Sequence, residues 1–244
     1  MLQKIDIQKV LFLDIETVPQ YENFSELSTT AQDLFSQKTA YQRKSDAISP
    51  VDFYSRAGIW AEFGKIVCIS VGFFSKENKK NQFRVTSFYG DEKQLLLDFK
   101  KLLDTHYNKA SNLLCAHNGK EFDFPYLARR MIIQGISIPN ILNLFGKKPW
   151  EVPHLDTLDL WKFGDYKHYT SLNLLTDILG IPSPKDDING GQVAEVFYKD
   201  KNIQRIVKYC EKDTIAVAQI LLRFMNKPIL ESKEIIHIDY STAI

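Results

Sequence analysis

The stretch Val10-Leu11-Phe12-Leu13-Asp14-Ile15-Glu16-Thr17 (VLFLDIET, residues 10–17) decides how the rest of the chain is read. Its four leading residues form a short, wholly apolar run, the pattern of a buried central strand. Two carboxylates follow at once. On an extended chain, residues two apart point to the same side, so Asp14 and Glu16 share a face. Two unpaired acids at the end of a buried strand repel one another and are poorly solvated, so they call for cations. The plain alternative is a turn at Asp14 with Glu16 in solvent, and a D-x-E triplet alone does not decide between them.

Working outward, residues 65–75 (KIVCISVGFFS) and 82–89 (QFRVTSFY) read as two strands joined by the polar turn KENKKN, hence a hairpin. Residues 91–107 read as a helix with Leu95, Leu96, Phe99, Leu102 and Leu103 on one face. A short strand at 112–116 (NLLCA) and a helix at 122–134 come next. A helix at 170–179 is stopped by Gly180 and Pro182, and a long helix over 202–224 ends before Pro228. Between residues 21 and 61 the pattern changes. Ser25 is placed to cap a helix whose apolar face is Leu27, Ala31, Leu34 and Phe35, and Ser49-Pro50 then breaks the chain, so this segment reads as a helical insertion. The order is strand, insertion, two strands, helix, strand, helix and further helices. It predicts an α/β fold with a mixed central sheet flanked by helices, one domain over residues 1–244.

Composition narrows the class. The chain has 244 residues, 44% hydrophobic and 25% charged, with 31 Lys+Arg against 30 Asp+Glu and a formal net charge of +1. That is the balance of a globular protein and excludes disordered, collagen-like and coiled-coil chains. No run approaches the ~18–20 apolar residues of a membrane span, and MLQKIDIQKV lacks the apolar core of a signal peptide. Cys68, Cys115 and Cys210 are odd in number, widely spaced and set in apolar stretches. They read as buried free thiols rather than a disulfide framework or zinc site. A cytoplasmic location without membrane contact is expected.

Two further acids stand where packing favours apolar groups. In the long C-terminal helix, Ile203, Ile206, Cys210, Val217, Ile220 and Phe224 follow a rhythm of three and four, and the missing member is Asp213. Tyr209 lies four residues earlier, one turn away on the same side. Asp123, in His117-Asn118-Gly119-Lys120-Glu121-Phe122-Asp123-Phe124, opens a helix just after a strand, where helix capping is the ordinary role. Asp14, Glu16, Asp123 and Asp213 together form a set of four carboxylates without a His or Cys partner set. Such a set suits hard cations, Mg²⁺ or Mn²⁺ rather than zinc. Carboxylate-held metal pairs about 3.5–4 Å apart serve phosphoryl chemistry.

The ordered motifs D-x-E (Asp14, Glu16), N-x3-F-D (Asn118, Phe122, Asp123) and Y-x3-D (Tyr209, Asp213) resemble those of the DEDD superfamily of 3′–5′ exonucleases, which have the ribonuclease H-like fold. Tyr209 puts the chain in the tyrosine branch; the histidine branch has His at position 208, here Lys208. The N-x3-F-D form is most similar to the exonuclease domains of family B DNA polymerases, and the resemblance covers roughly residues 9–225. It also matches stand-alone bacterial exonucleases, since the chain carries no polymerase motifs.

The resemblance implies a role for each residue. Asp14 bridges two divalent cations, Mg²⁺ or Mn²⁺. Glu16 and Asp213 complete the metal on the nucleophile side, and Asp123 holds the other. Tyr209 orients the attacking water, and a nucleoside 5′-monophosphate leaves. The partners implied are 3′ ends of single-stranded DNA or RNA, with DNA favoured. Thr17 offers its N–H or hydroxyl to the 3′ end. Asn118 either bonds the terminal nucleotide or forms a turn, and Phe122 either stacks on the terminal base or packs in the core. Asp156 is a supporting acid. Trp60 and Phe63 read as packing residues of the insertion, and residues 185–191 as a solvated loop. The rival readings are a non-catalytic nucleic-acid-binding module on the same fold and an RNA-directed exonuclease. A haloacid dehalogenase phosphatase is disfavoured because Glu16 stands where that family needs Asp.

Overall fold

The computed structural model describes residues 2–44, 47–77, 80–165, 169–182 and 188–239. The apolar run becomes β1 (Val10–Pro19) at the centre of a mixed sheet. On one side lie β2 (Gly64–Glu77), β3 (Lys80–Tyr89) and the edge strand β6 (Ile235–His237), and on the other β4 (Leu113–Ala116) and β5 (Leu155–Asp156). The order is β5-β4-β1-β2-β3-β6. β1, β2 and β3 form an antiparallel meander, β4 is parallel to β1, β5 to β4, and β6 to β3. A first strand flanked by an antiparallel pair on one side and parallel strands on the other is the ribonuclease H-like arrangement expected from the sequence.

Eight α-helices accompany the sheet among the described residues: α1 (Thr29–Lys44), α2 (Pro50–Phe53), α3 (Glu92–His106), α4 (Asp123–Ile133), α5 (Thr157–Lys162), α6 (Leu172–Ile178), α7 (Val193–Tyr198) and α8 (Ile203–Phe224). The alternation of β1 divides the core. Leu11, Leu13 and Ile15 pack with Leu95, Leu96 and Phe99 of α3 and Leu127 and Met131 of α4. Val10 and Phe12 turn the other way, onto Val217, Ala218 and Leu221 of α8. The three cysteines are buried and free, as expected.

The insertion contains α1, α2 and a 3-10 helix (Tyr54–Ile59). Its details differ from the sequence reading. The cap is Ser28, whose hydroxyl accepts from the Ala31 N–H at 3.2 Å, while Ser25 lies inside a short 3-10 turn. Leu34 points to solvent, 53% exposed, and only Leu27 and Phe35 of the expected face are fully buried. The partner of this face is an aromatic cluster of Phe53, Tyr54, Trp60 and Phe63, which Leu27, Ala31 and Phe35 join. Of the loop at 185–191, residues 185–187 lie outside the described residues.

Candidate active site

β1 carries Asp14 and Glu16 on the side that faces α8, continuing the Val10–Phe12 face. Just past Glu16 the pairing with β2 slips. Glu16 is opposite Cys68 and Thr17 is opposite Ile66, which leaves Val67 as an extra residue. This bulge turns two successive residues, Val67 and Cys68, to the α8 side, whereas Ile66 and Ile69 face the other core. Bulges re-aim side chains in this way beside functional sites. α8 answers with Tyr209, Cys210 and Asp213. The Cys210 thiol reaches the Asp14 carbonyl and carboxylate, both at 3.3 Å, which ties the helix to the strand at the acids. One carboxylate oxygen each of Asp14 and Glu16 and the Cys210 sulfur lie within 4.8 Å of one another.

The third element arrives through a turn. After β4 the chain passes Asn118 in the left-handed region, φ 63°. Gly119 follows, where an added Cβ would lie 2.4 Å from the Ala116 methyl and 3.0 Å from the Phe124 ring. So Asn118 supplies the unusual dihedral and Gly119 the space. Buried Asp156, at the end of β5, accepts the Asn118 N–H at 2.9 Å and the Lys120 N–H at 3.0 Å. It also caps α5 through the N–H groups of Leu158 and Asp159. The turn thus ends at a fixed place, and α4 starts with Asp123 buried against β1, its carboxylate accepting the Ile15 N–H.

The electrostatics follow from this convergence. Burial raises the pKa of Asp14 well above the carboxylate range, and Glu16, Asp213 and Asp123 add to the rise, while the Cys210 hydrogen bond opposes it. Glu16 is raised by burial, then by Asp213, Cys68 and Asp123. Asp123 is pushed up to about 8, by burial first and then by Asp156 and Asp213, against hydrogen bonds from its own N–H and that of Ile15. Among the described residues no cationic side chain is among the influences on Asp14 or Glu16. An acid cluster of this kind is satisfied by bound cations, and the donors are the oxygens that Mg²⁺ and Mn²⁺ take. Tyr209 bonds the Asp213 carboxylate, and burial with the nearby acids drives its phenol upward, so it keeps its proton.

Five expected site residues, Asp14, Glu16, Asp123, Tyr209 and Asp213, are therefore electrostatic neighbours, and the ligand atoms within 4.8 Å of one another among the described residues are those of Asp14, Glu16 and Cys210. The others stand nearby in mixed roles. Thr17 has its side chain on the opposite face of β1, bonded to Tyr126. Phe122 is partly buried against the core, its ring 5.3 Å from that of Tyr126. Asn118 forms the turn. Cys68 and Cys210 were read from sequence only as core thiols. A signal for Cys210 was present: it shares the inward stripe with Asp213, three residues on.

Residues 59–234 match the model of a family described as a predicted 3′–5′ exonuclease related to the exonuclease domain of PolB. The chain belongs to that family. As a member of this exonuclease family it places Asn118, Phe122, Asp123, Tyr209 and Asp213 inside the matched range, while Asp14, Glu16 and Thr17 precede it. A DNA polymerase of Pyrococcus glycovorans is 22% identical over 171 residues, 62% of this chain and 21% of that protein. The chain thus spans about a fifth of the length of that relative. The structure of the family B DNA polymerase from the hyperthermophilic archaeon Pyrobaculum calidifontis aligns at 16% identity over 88% of this chain and 24% of that one, with a TM-score of 0.45.

Proposed function

We propose that the protein is a metal-dependent exonuclease that removes nucleotides from the 3′ end of a single strand, DNA in preference to RNA, using two Mg²⁺ or Mn²⁺ ions. The observation that carries this reading is that Asp14 and Glu16 of β1, Asp123 of α4 and Asp213 of α8 act on one another electrostatically, with no cationic side chain of the described residues among the influences on Asp14, Glu16 or Asp123. Family membership supports the same reaction class.

In this reading Asp14 and Glu16 hold one side of the site, Asp213 closes it from α8 and Asp123 from α4. The bound cations supply water activation and stabilise the leaving oxygen. Tyr209 donates a hydrogen bond to Asp213, so its oxygen lone pairs are free to accept a hydrogen bond from the attacking water and aim it at the terminal phosphorus. Water's oxygen forms the new bond to phosphorus, and the P–O3′ bond breaks. One water proton goes to solvent and the departing O3′ takes up a proton from solvent, leaving a 3′-hydroxyl on the shortened strand and a free nucleoside 5′-monophosphate. In this reading the Asn118 side chain and the accessible part of the Phe122 ring, at the turn before Asp123, contact the terminal nucleotide.

The test is degradation of 5′-labelled single-stranded DNA, duplex DNA with a 3′ overhang and RNA, side by side, with Mn²⁺ or Mg²⁺. Stepwise shortening of the single-stranded DNA from its 3′ end is expected, and Asp14→Ala abolishes it. Metal-dependent shortening unchanged in Asp14→Ala overturns the site. Binding without hydrolysis of any strand favours the non-catalytic module.

A further inference from the structure

One surface segment has no part in that reaction: Phe145-Gly146-Lys147-Lys148-Pro149-Trp150. Phe145 is 73% and Trp150 76% exposed, and Lys147 and Lys148 are exposed between them. The segment is shaped rather than loose. Gly146 takes φ +70°, and a short 3-10 turn (Pro149–Glu151) is closed by the Lys148 N–H on the Glu151 carboxylate at 2.8 Å. Lys148 Nζ lies 5.4 Å over the Trp150 ring. Phe145, Lys147 and Trp150 form one wall of a groove of about 610 Å³, and α4 forms the other with Pro125, Ala128 and Ile132. Asn118 and Asp156, the two residues that set the turn before Asp123, also line it, so the groove reaches the turn that leads into Asp123.

Two solvated aromatic rings flanking two adjacent lysines match one ligand chemistry. A nucleic-acid single strand offers unpaired base faces for rings and phosphates for ammonium groups. A duplex hides its base faces, and an apolar peptide has no use for the lysines. Elsewhere along the groove, Lys120 pairs with Asp159 at 2.9 Å and Lys162 approaches Glu121 at 4.0 Å. Within each pair the charges offset one another, which leaves Lys147 and Arg129 as the groove's other lining cations, with Lys148 exposed beside Lys147.

We propose that this groove binds the substrate strand behind its 3′ end, with Phe145 and Trp150 stacking on bases and Lys147 and Lys148 contacting phosphates. The proposal rests on the exonuclease reading and adds where the strand runs. It also reconciles a net charge of +1 with nucleic-acid binding, because the contact charge is local.

The full chain and two double variants, F145A/W150A and K147A/K148A, are titrated with fluorescein-labelled dT20 by anisotropy in EDTA, which blocks turnover. All are also assayed on a trinucleotide with Mn²⁺. All four side chains are exposed, so an unchanged melting temperature certifies folding. The aromatic variant is expected to weaken dT20 binding by about tenfold or more, since stacking contributes ~1–3 kcal/mol per base. The lysine variant is expected to flatten the salt slope by about 1.4, at ~0.7 per phosphate contact on a single strand. Trinucleotide hydrolysis is expected to fall less than dT20 affinity, because fewer bases and phosphates reach the groove. Loss of dT20 affinity in the variants of a chain that hydrolyses nothing keeps the groove and overturns the exonuclease. Normal shortening with dT20 affinity unchanged in both variants keeps the exonuclease and overturns the groove, leaving a protein partner as its occupant.

Discussion

Tyr209 and Asp213 lie one helical turn apart, and the acids around the phenol hold its proton in place. A protonated phenol is a poor base and a good anchor for a water molecule. Tyr209→Phe removes one oxygen and no charge. It is expected to lower kcat by about 10²-fold, the low end of what a positioned proton-handling group contributes, with Mn²⁺ affinity by calorimetry at the parent value. Loss of Mn²⁺ binding would make Tyr209 a structural residue instead. Asp156 acts one step further out, through the four N–H groups it accepts. Asp156→Ala frees the Asn118–Lys120 turn that aims Asp123. A drop of about 10–100-fold in activity is expected, as for residues that orient metal ligands, with the larger share in metal affinity. An Asp156→Ala protein that binds Mn²⁺ and cleaves like the parent would show that the turn holds itself.

At the scale of elements, buried Arg130 of α4 is the fastener. It bonds Glu92 of α3 through Nε at 2.8 Å and through a second nitrogen at 2.5 Å, and reaches the Ala61 carbonyl at 2.8 Å and the Gln20 side chain at 3.2 Å. Glu92 also takes the Ile66 N–H of β2 at 2.7 Å. One ion pair thus joins both helices on that face to β2, to the end of the insertion and to the residue after β1. Breaking such a pair strands a buried charge, so Arg130→Ala is expected to cost about 3–5 kcal/mol in urea unfolding. Replacing both partners by apolar residues should cost clearly less, and equal costs would show that the charge of Glu92 is not the problem. Nothing local marked this pair. Glu92 reads as an ordinary acid in the first turn of a helix, and Arg130 as one more cation on α4.

For the whole molecule, the acid cluster couples stability to pH and metal. Asp14, Glu16 and Asp123 all have raised pKa values, Asp123 up to about 8. Unfolded, such groups ionise near about 4. Between those limits the native metal-free protein holds more protons than the unfolded chain, so its stability falls as pH rises through the window. Divalent cations replace those protons and reverse the trend. The gain in melting temperature on adding Mn²⁺ to EDTA-treated protein is therefore expected to be larger at pH 8 than at pH 6. A gain independent of pH would mean that the acids are already ionised without metal. Much of this was legible in the chain, because a period of two put Asp14 and Glu16 on one face, and a period of three and four put Asp213 on the buried stripe of α8 with Tyr209 beside it. Those are local repeats, and they determined the central strand, the long helix, the acids and the class of fold. Only the tertiary structure decided the two-residue β5, too short to show a period, and the bulge at Val67 that turns Cys68 toward the acids. It alone decided the grip of Asp156 on a turn 38 residues away and the groove beside α4, since these depend on contacts between segments that no local repeat links.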